Sequence, residues 1–159
     1  MRSERHGYAK SAFFGSTALL LSAFASTQAQ SENGKPCNDA LMRGDYAIQM
    51  QGTRPAPGGA IETVIGVVLR SFDGYGNFDQ VDNIKGSITG IESDRPGSGT
   101  YEVSPDCTGV SQFQPDPSNP LLVIEEKFVI SDNGKEIRSI TRSPPPLLIT
   151  AVAKRVHKP

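Results

Sequence analysis

Short β-like runs, repeated along most of the chain, are the sequence feature that most limits the fold. Segments rich in Val, Ile, Thr, Tyr and Phe alternate with clusters of Gly, Pro, Asn and Asp from residue 45 to residue 156. Strands joined by turns give this pattern, and no window has the periodicity of a long amphipathic helix. The sequence therefore predicts an all-β domain.

Nine such runs can be placed, at residues 45–53, 61–72, 77–84, 87–93, 100–103, 108–114, 121–130, 136–142 and 147–156. The third and fourth runs can also form one bent strand interrupted at Gly86, which would leave eight strands. The connections at 54–60, 93–99, 114–120 and 143–146 are too rich in proline for central strands, so they are interpreted as loops.

Two hairpin turns have the clearest local pattern. Residues 73–76 (Asp-Gly-Tyr-Gly) and 132–135 (Asp-Asn-Gly-Lys) each lie between two β-like runs. Asp-Gly and Asn-Gly readily adopt the positive φ angles that tight hairpins require. The strands on either side of each turn are therefore predicted to pair.

Several runs are apolar on both alternating faces, most clearly residues 61–72. A sheet with one wet face would alternate more cleanly. Two arrangements explain the pattern: a closed barrel whose outside is covered by a loop or a second subunit, or a barrel with an apolar lumen packed into a homo-oligomer. Because closure removes exposed edges, we predict a single antiparallel up-and-down barrel of about eight strands rather than a sandwich.

The first 29 residues have the composition of a signal peptide. A basic leader precedes a short apolar run at residues 11–25, and Ala29 gives a small-residue cleavage site before Gln30, with a competing site after Ala25. The apolar run is shorter than the roughly 20 residues that a membrane span needs. We expect export and no membrane span.

Export sets the expected organisation of the chain. The chain is expected to comprise a cleaved signal peptide at 1–29, a flexible lead at 30–36 and the barrel domain at 37–157. About 130 residues can bury one core. The expected location is the periplasm or the cell exterior.

Cys37 and Cys107 both fall in the part expected to be exported, where disulfides persist. We expect them to be bonded to each other. The bond would close a loop of about 70 residues and stabilise the fold by roughly 4 kcal/mol in the chain-entropy account.

Charge excludes some partners. Residues 1–29 contain three cationic and one anionic residue, so the 16 Lys+Arg and 17 Asp+Glu of the whole chain become 13 and 16. The remaining domain has a formal charge of −3 and scattered basic residues. Binding to nucleic acid is not expected, because it requires clustered Lys and Arg.

The residue types that most enzymes use are scarce. His157, almost at the C-terminus, is the one histidine after residue 29, so a Ser-His-Asp mechanism and a zinc site are not expected. Asp and Asn gather around the turn at 73–76, which turn chemistry explains without calcium. No metal and no cofactor are predicted.

Five polar residues are candidates to line a barrel lumen. Glu62 and Arg70 are eight residues apart on one strand, so they share a face. Tyr46 lies in the first run, and either Glu125 or Glu126 should point inward. In the alternative orientation these charges face solvent outside the barrel, and sequence parity alone does not distinguish the two.

One block of residues carries a resemblance to known proteins. The order of motifs is Cys37, Leu41-x-x-Gly44-x-Tyr46, Phe72-Asp73-Gly74-x-Gly76-Asn77, and Gly99-Thr100-Tyr101-x-Val103-x-x-Asp106-Cys107-Thr108-Gly109. This order resembles small exported, mostly uncharacterised bacterial proteins thought to form eight-stranded barrels similar to the allene oxide cyclase and dirigent proteins. The resemblance implies a fold and carries no catalytic residue across.

The leading functional expectation is a non-enzymatic barrel that binds a small apolar or amphipathic molecule. One alternative is a cofactor-free cyclase or isomerase of the allene oxide cyclase type, which works by positioning a reactive substrate. Another alternative is an oligomeric surface or structural protein.

Overall fold

The computed structural model describes residues 35–115, 119 and 121–156. In this part the chain forms eight strands and two one-turn 3-10 helices. The strands are β1 (Gly44–Pro55), β2 (Ile61–Phe72), β3 (Asn77–Gly86), β4 (Gly90–Val103), β5 (Thr108–Gln114), β6 (Ile124–Ser131), β7 (Glu136–Ser143) and β8 (Leu148–Arg155). The 3-10 helices are η1 (Asp39–Met42) and η2 (Asp132–Gly134).

Every strand pairs antiparallel with the next one along the chain, and β1 also pairs with β8. The predicted fold, a closed eight-stranded up-and-down barrel, is confirmed. The expected signal peptide, residues 30–34 of the expected lead and His157 lie outside the described residues. Nowhere in 35–115, 119 and 121–156 is there a helix long and apolar enough to cross a membrane.

Both predicted hairpin turns are present, between β2 and β3 and between β6 and β7. Gly74 and Asn133 have the positive φ angles of 81° and 51° that such turns require. The Asp73 carboxylate accepts hydrogen bonds from the backbone N–H groups of Tyr75 and Asn77, at 2.7 and 3.0 Å. Local turn chemistry therefore accounts for this acidic loop.

The interpretation of residues 93–99 as a loop was wrong. These residues lie inside β4, which joins the two runs predicted at 87–93 and 100–103. The chain reverses instead just before Gly90, so the alternative of one bent strand over 77–93 was also wrong. The ladder between β3 and β4 is irregular between Asp82 and Ile84, and Pro96 lies opposite Val81 in the regular part beside it.

Glycines occur inside β4 because large rings fill the barrel beside them. A Cβ added at Gly97 would lie 2.3 Å from the Phe113 ring, and one at Gly99 would lie 2.5 Å from Phe78. The composition that suggested a loop therefore reflects close packing of side chains against a strand backbone.

One end of the barrel is closed by the segment that leads into β1. Cys37 and Cys107 form the expected disulfide, with their Cα atoms 5.1 Å apart. Met42, on η1, is 1% exposed and packs into the core. Edge-to-face ring contacts of 5.0–5.3 Å join Phe72 to Tyr46 and Tyr101. These contacts seal the lumen at this end.

Candidate functional site

Above this sealed end, the lumen contains a cavity of about 590 Å³. Met42 and Phe72 lie at its floor. Its mouth is formed by the connections at the opposite end of the barrel, which contribute Pro57, Leu122 and Pro146. The cavity therefore runs along the barrel axis from a closed floor to a rim rich in proline and leucine.

The lining has two chemically different sides. β7 and β8 contribute no charged side chain to it, only small or apolar ones and hydroxyls: Ile137, Ser139, Thr141, Ile149, Ala151 and Ala153. The charged and amide groups come from β2, β3, β4 and β6 and from the end of β1: Arg54, Arg70, Gln80, Asp82, Glu92, Arg95 and Glu126. The cavity is therefore amphipathic.

Arg70 is the centre of the deeper part of the polar side. Its Nη1 donates to Glu126 Oε2 at 2.9 Å, and its Nε donates to Gln80 Oε1 at 2.8 Å. The guanidinium also lies 4.2 Å from the centre of the Phe78 ring, within cation–π range. Three different interactions therefore hold one buried cation in a single orientation.

Glu126 is the partner of that cation. Its Oε2 also accepts a hydrogen bond from Ser111 Oγ at 2.8 Å. Burial raises the pKa of Glu126, but the charge and hydrogen bond of Arg70, together with Ser111, outweigh burial and leave this pKa below its usual value. Glu126 is therefore an ionised, paired carboxylate.

A second group of ion pairs lies nearer the mouth. Arg95 Nε donates to Asp82 Oδ1 at 2.8 Å, and Glu92 accepts from both Arg95 and Arg54. Burial raises the pKa of Glu92, but the two guanidinium groups outweigh it and lower the pKa overall. Gln80 connects the two groups, because its Nε2 is 3.4 Å from Asp82 Oδ2.

Glu62 lies behind Arg54 and is only 1% exposed. It accepts backbone hydrogen bonds from Thr89 and Ile88, both at 3.0 Å, and one from Arg54 Nε at 2.7 Å. The hydrogen bond from the Thr89 N–H lowers the pKa of Glu62 most, and those from Arg54 and the Ile88 N–H lower it further. Together they outweigh burial, which raises this pKa, and bring it to about 2. A Cβ at Gly86 would lie 2.2 Å from Glu62 Oε2, so a glycine there provides the space for this carboxylate.

Tyr46 belongs to the closed end and does not line the cavity. Its Oη donates to the Gly134 carbonyl at 2.5 Å and accepts from Arg155 Nη2 at 2.7 Å. Burial raises the pKa of Tyr46 more than Arg155 lowers it. The hydroxyl is thus neutral and occupied by protein partners, which is the arrangement of a structural residue.

The structure brings three of the five candidate residues into one network. Glu62, Arg70 and Glu126 all point into the barrel and are connected through the groups described above. Glu125 has the opposite orientation: it pairs at 2.9 Å with Arg142, whose side chain is 65% exposed, and it does not line the cavity.

Several network residues were not among the predicted candidates: Arg54, Gln80, Asp82, Glu92, Arg95 and Ser111. Arg54 and Arg95 fall in segments that the sequence suggested were loops. Gln80 and Asp82 alternate with Val81 on β3, so the sequence could have shown that these two polar residues share a face. The sequence did not show which face of that strand was inside.

The carboxylates in the lumen are paired with arginines rather than gathered around a common point. In the described part of the chain, no three His, Cys, Asp or Glu side chains gather as a set that could hold a metal ion. Each lumen carboxylate accepts from at least one arginine instead. A prearranged set of hydrogen-bonding groups thus faces an apolar surface inside one cavity.

Comparisons of the chain with protein families, with curated proteins and with solved structures found no match. The resemblance to the allene oxide cyclase and dirigent barrels therefore stays a prediction.

Proposed function

We propose that this protein binds a small amphipathic molecule inside its barrel, outside the cytoplasm. The observation that supports the proposal is the lumen cavity of about 590 Å³, with the polar network of β2–β6 on one side and the uncharged lining of β7 and β8 on the other. Ligand sites in proteins typically have volumes of about 300–1,000 Å³ and mostly apolar linings with a few placed polar groups.

The ionisation of the network favours binding over a cofactor-free cyclase or isomerase that transfers protons. General acid–base catalysis works best when the pKa of the group lies near the working pH. The pKa values of Glu62, Glu92 and Glu126 are all lowered. These carboxylates stay ionised near neutral pH, so none of them is a proton donor for a ligand.

Titration of the purified protein with Nile red, a neutral lipophilic fluorophore, tests the proposal. We expect saturable binding with one site per chain. Ala151→Phe should abolish it, because Ala151 faces the cavity and a benzyl group would occupy that space. Thr150→Phe is the matched control, since the neighbouring Thr150 is exposed on the outer face.

Equal binding by the wild type and Ala151→Phe would contradict a site in the lumen. Liquid chromatography of the compound that copurifies with the protein, which separates isomers of equal mass, adds a second readout. A recovered compound that is chemically unchanged supports a binder, whereas conversion to an isomer would favour the cyclase.

We also propose that the chain associates with a second copy of itself through the outer face of β8, β1, β2 and β3. Ile65, Val67 and Leu69 form a column on β2 and are 56%, 61% and 52% exposed. The face continues with Val81 and Val152, and every outward residue from Ile61 to Ser71 is uncharged. The apolar surface is on the order of several hundred Å², a size that marks interaction sites.

The outward column of β2 carries no charge, so two copies that pair through this column meet without like-charge repulsion at its centre. Light scattering after size exclusion should give a mass at least twice that of one chain. Val67→Lys should shift the protein to monomers with Nile red binding retained. A wild-type protein that stays monomeric at high concentration would contradict this proposal.

A further inference from the structure

The charges that line the cavity balance one another. Three guanidinium groups, of Arg54, Arg70 and Arg95, face three carboxylates, of Asp82, Glu92 and Glu126. Every one of these six groups has an ion-pair partner of opposite charge. Glu62 is buried behind Arg54 and is not part of the cavity lining. The side chains that line the cavity therefore sum to zero formal charge, and Glu62 adds one negative charge behind Arg54.

Most of the hydrogen-bonding capacity of the carboxylates is already used. Both oxygens of Asp82 accept from Arg95, and the two oxygens of Glu92 accept from Arg54 and Arg95. The exception is the Arg70–Glu126 pair. Within the described residues, Arg70 Nη2 donates no hydrogen bond and Glu126 Oε1 accepts none.

These two groups, a donor and an acceptor, belong to one ion pair whose contacting atoms are 2.9 Å apart, and both residues line the cavity. A ligand hydroxyl can accept from Arg70 and donate to Glu126 at the same time. The pair comes from inward positions next to Phe72 on β2 and Phe128 on β6. A hydroxyl bound here would therefore point towards the closed end, with the apolar body of the ligand extending towards the mouth.

A charged headgroup would have no unpaired counter-charge in the lining. A carboxylate at Arg70 would lie beside Glu126, and an ammonium at Glu126 would lie beside Arg70. Burying a charge is costly unless it is paired. Either ion would therefore be buried beside a like charge, whereas a hydroxyl would not.

We infer that the ligand is an uncharged lipophile with a hydroxyl group that contacts Arg70 and Glu126, rather than a fatty acid or a lipophilic amine. This inference rests on the proposed binding in the lumen and names the ligand class.

A series of three ligands with the same chain tests it. Decanol, decanoate and decylamine compete with Nile red at pH 7, each below its aggregation concentration. Decanol should displace the dye at a concentration about tenfold lower than either ion. If Nile red itself does not bind, the proposed function fails. If Nile red binds and decanoate or decylamine competes as well as decanol, or no compound competes, only the ligand class is overturned.

Two variants test the residues. Glu126→Gln removes the negative charge from the pair, so Arg70 becomes a free cation and decanoate should gain at least about tenfold relative to decanol. Glu125→Gln is the matched control, because the adjacent Glu125 lies outside the cavity, and it should leave the order of the three ligands unchanged.

The double variant Arg70→Gln with Glu126→Gln restores a neutral pair and should again prefer decanol. Circular dichroism establishes that each variant is folded. If Glu126→Gln folds and still rejects decanoate, Arg70 does not set the charge of the ligand and the inference is wrong. If Glu126→Gln does not fold, the double variant and the wild-type series decide.

Discussion

The inward and outward faces of β2 differ in a way that reverses the usual polarity of a strand. Inward, Glu62 and Arg70 are 1% and 8% exposed. Outward, Ile65, Val67 and Leu69 are each more than half exposed. A strand with one wet face normally places its charges in water and its aliphatic residues in the core.

Partners on neighbouring strands, rather than the polarity of the strand itself, decide which face of β2 points inward. Glu62 finds Arg54 across the β1 pairing, and Arg70 finds Gln80 across the β3 pairing. Paired in this way, the two charges tolerate burial. In the described part of the chain, the outward aliphatic residues stay more than half exposed, which is why a second copy is proposed to cover them.

The largest expected effect comes from removing an inward charge. Arg70→Met leaves Glu126 buried without its cation, so the free energy of unfolding near neutral pH should fall by about 3–5 kcal/mol. Leu69→Thr, one residue away on the outward face, should change the value for the monomer by no more than about 0.5 kcal/mol. Urea denaturation measures both.

A double variant sharpens this contrast. Arg70→Met combined with Glu126→Leu replaces both charges by apolar groups and should recover most of the lost stability. If the double variant is as unstable as Arg70→Met alone, loss of packing rather than an uncompensated charge causes the effect.

The next effect concerns pH and Glu62. Because the pKa of Glu62 falls from 4.5 to about 2 on folding, its contribution to stability is complete above pH 4.5 and is lost as the pH falls towards 2. The stability difference between the wild type and Glu62→Gln should therefore be largest above pH 5 and shrink between pH 4.5 and 2. Denaturation at a series of pH values measures it.

Leu69→Thr is the control for this prediction, since it changes no titratable group and should follow the wild-type pH dependence. If the difference between the wild type and Glu62→Gln is the same at pH 5 and pH 2.5, the carboxylate is not held by the Thr89 N–H and Arg54 as described.

Much of the fold was predictable from local chemistry. Positive φ angles at Asp-Gly and Asn-Gly set two hairpins. Closure of the sheet was predicted from strands that are apolar on both faces and from the need to remove exposed edges. β4 was not predictable as one strand, because Gly97 and Gly99 are determined by Phe113 and Phe78 on other strands. Contacts distant in sequence made a strand of a segment that has the composition of a loop.

The sequence predicted which site residues share one face of a strand, but it did not predict which face points inward. The spacing placed Glu62 and Arg70 on one face, and the structure shows that this face is the inner one. For the adjacent pair, ordinary alternation along β6 puts Glu125 and Glu126 on opposite faces. The sequence of β6 alone does not say which of the two is inside, because that depends on which face of the strand meets the lumen.

A smaller effect is expected at the closed end, where an inward polar group is neutral. Tyr46→Phe removes a hydroxyl that donates to the Gly134 carbonyl and accepts from Arg155, and should cost about 1–2 kcal/mol of unfolding free energy. Tyr75→Phe should have no measurable effect, because Tyr75 is 78% exposed. Equal stability of the two variants would show that the hydroxyl of Tyr46 contributes nothing.

The smallest expected effect on stability is at the centre of the outward face. Val67→Thr keeps a β-branched side chain, which suits a strand, and replaces only a methyl group that is exposed in a single chain. Unfolding of the monomer should change by less than about 0.5 kcal/mol. Sedimentation equilibrium should nevertheless show weaker self-association, because the apolar column then contains a hydroxyl that the second copy would have to desolvate. Unchanged association would place the contact elsewhere on the barrel, and the outward aliphatic residues of β2 would then need a different explanation from the inward charges.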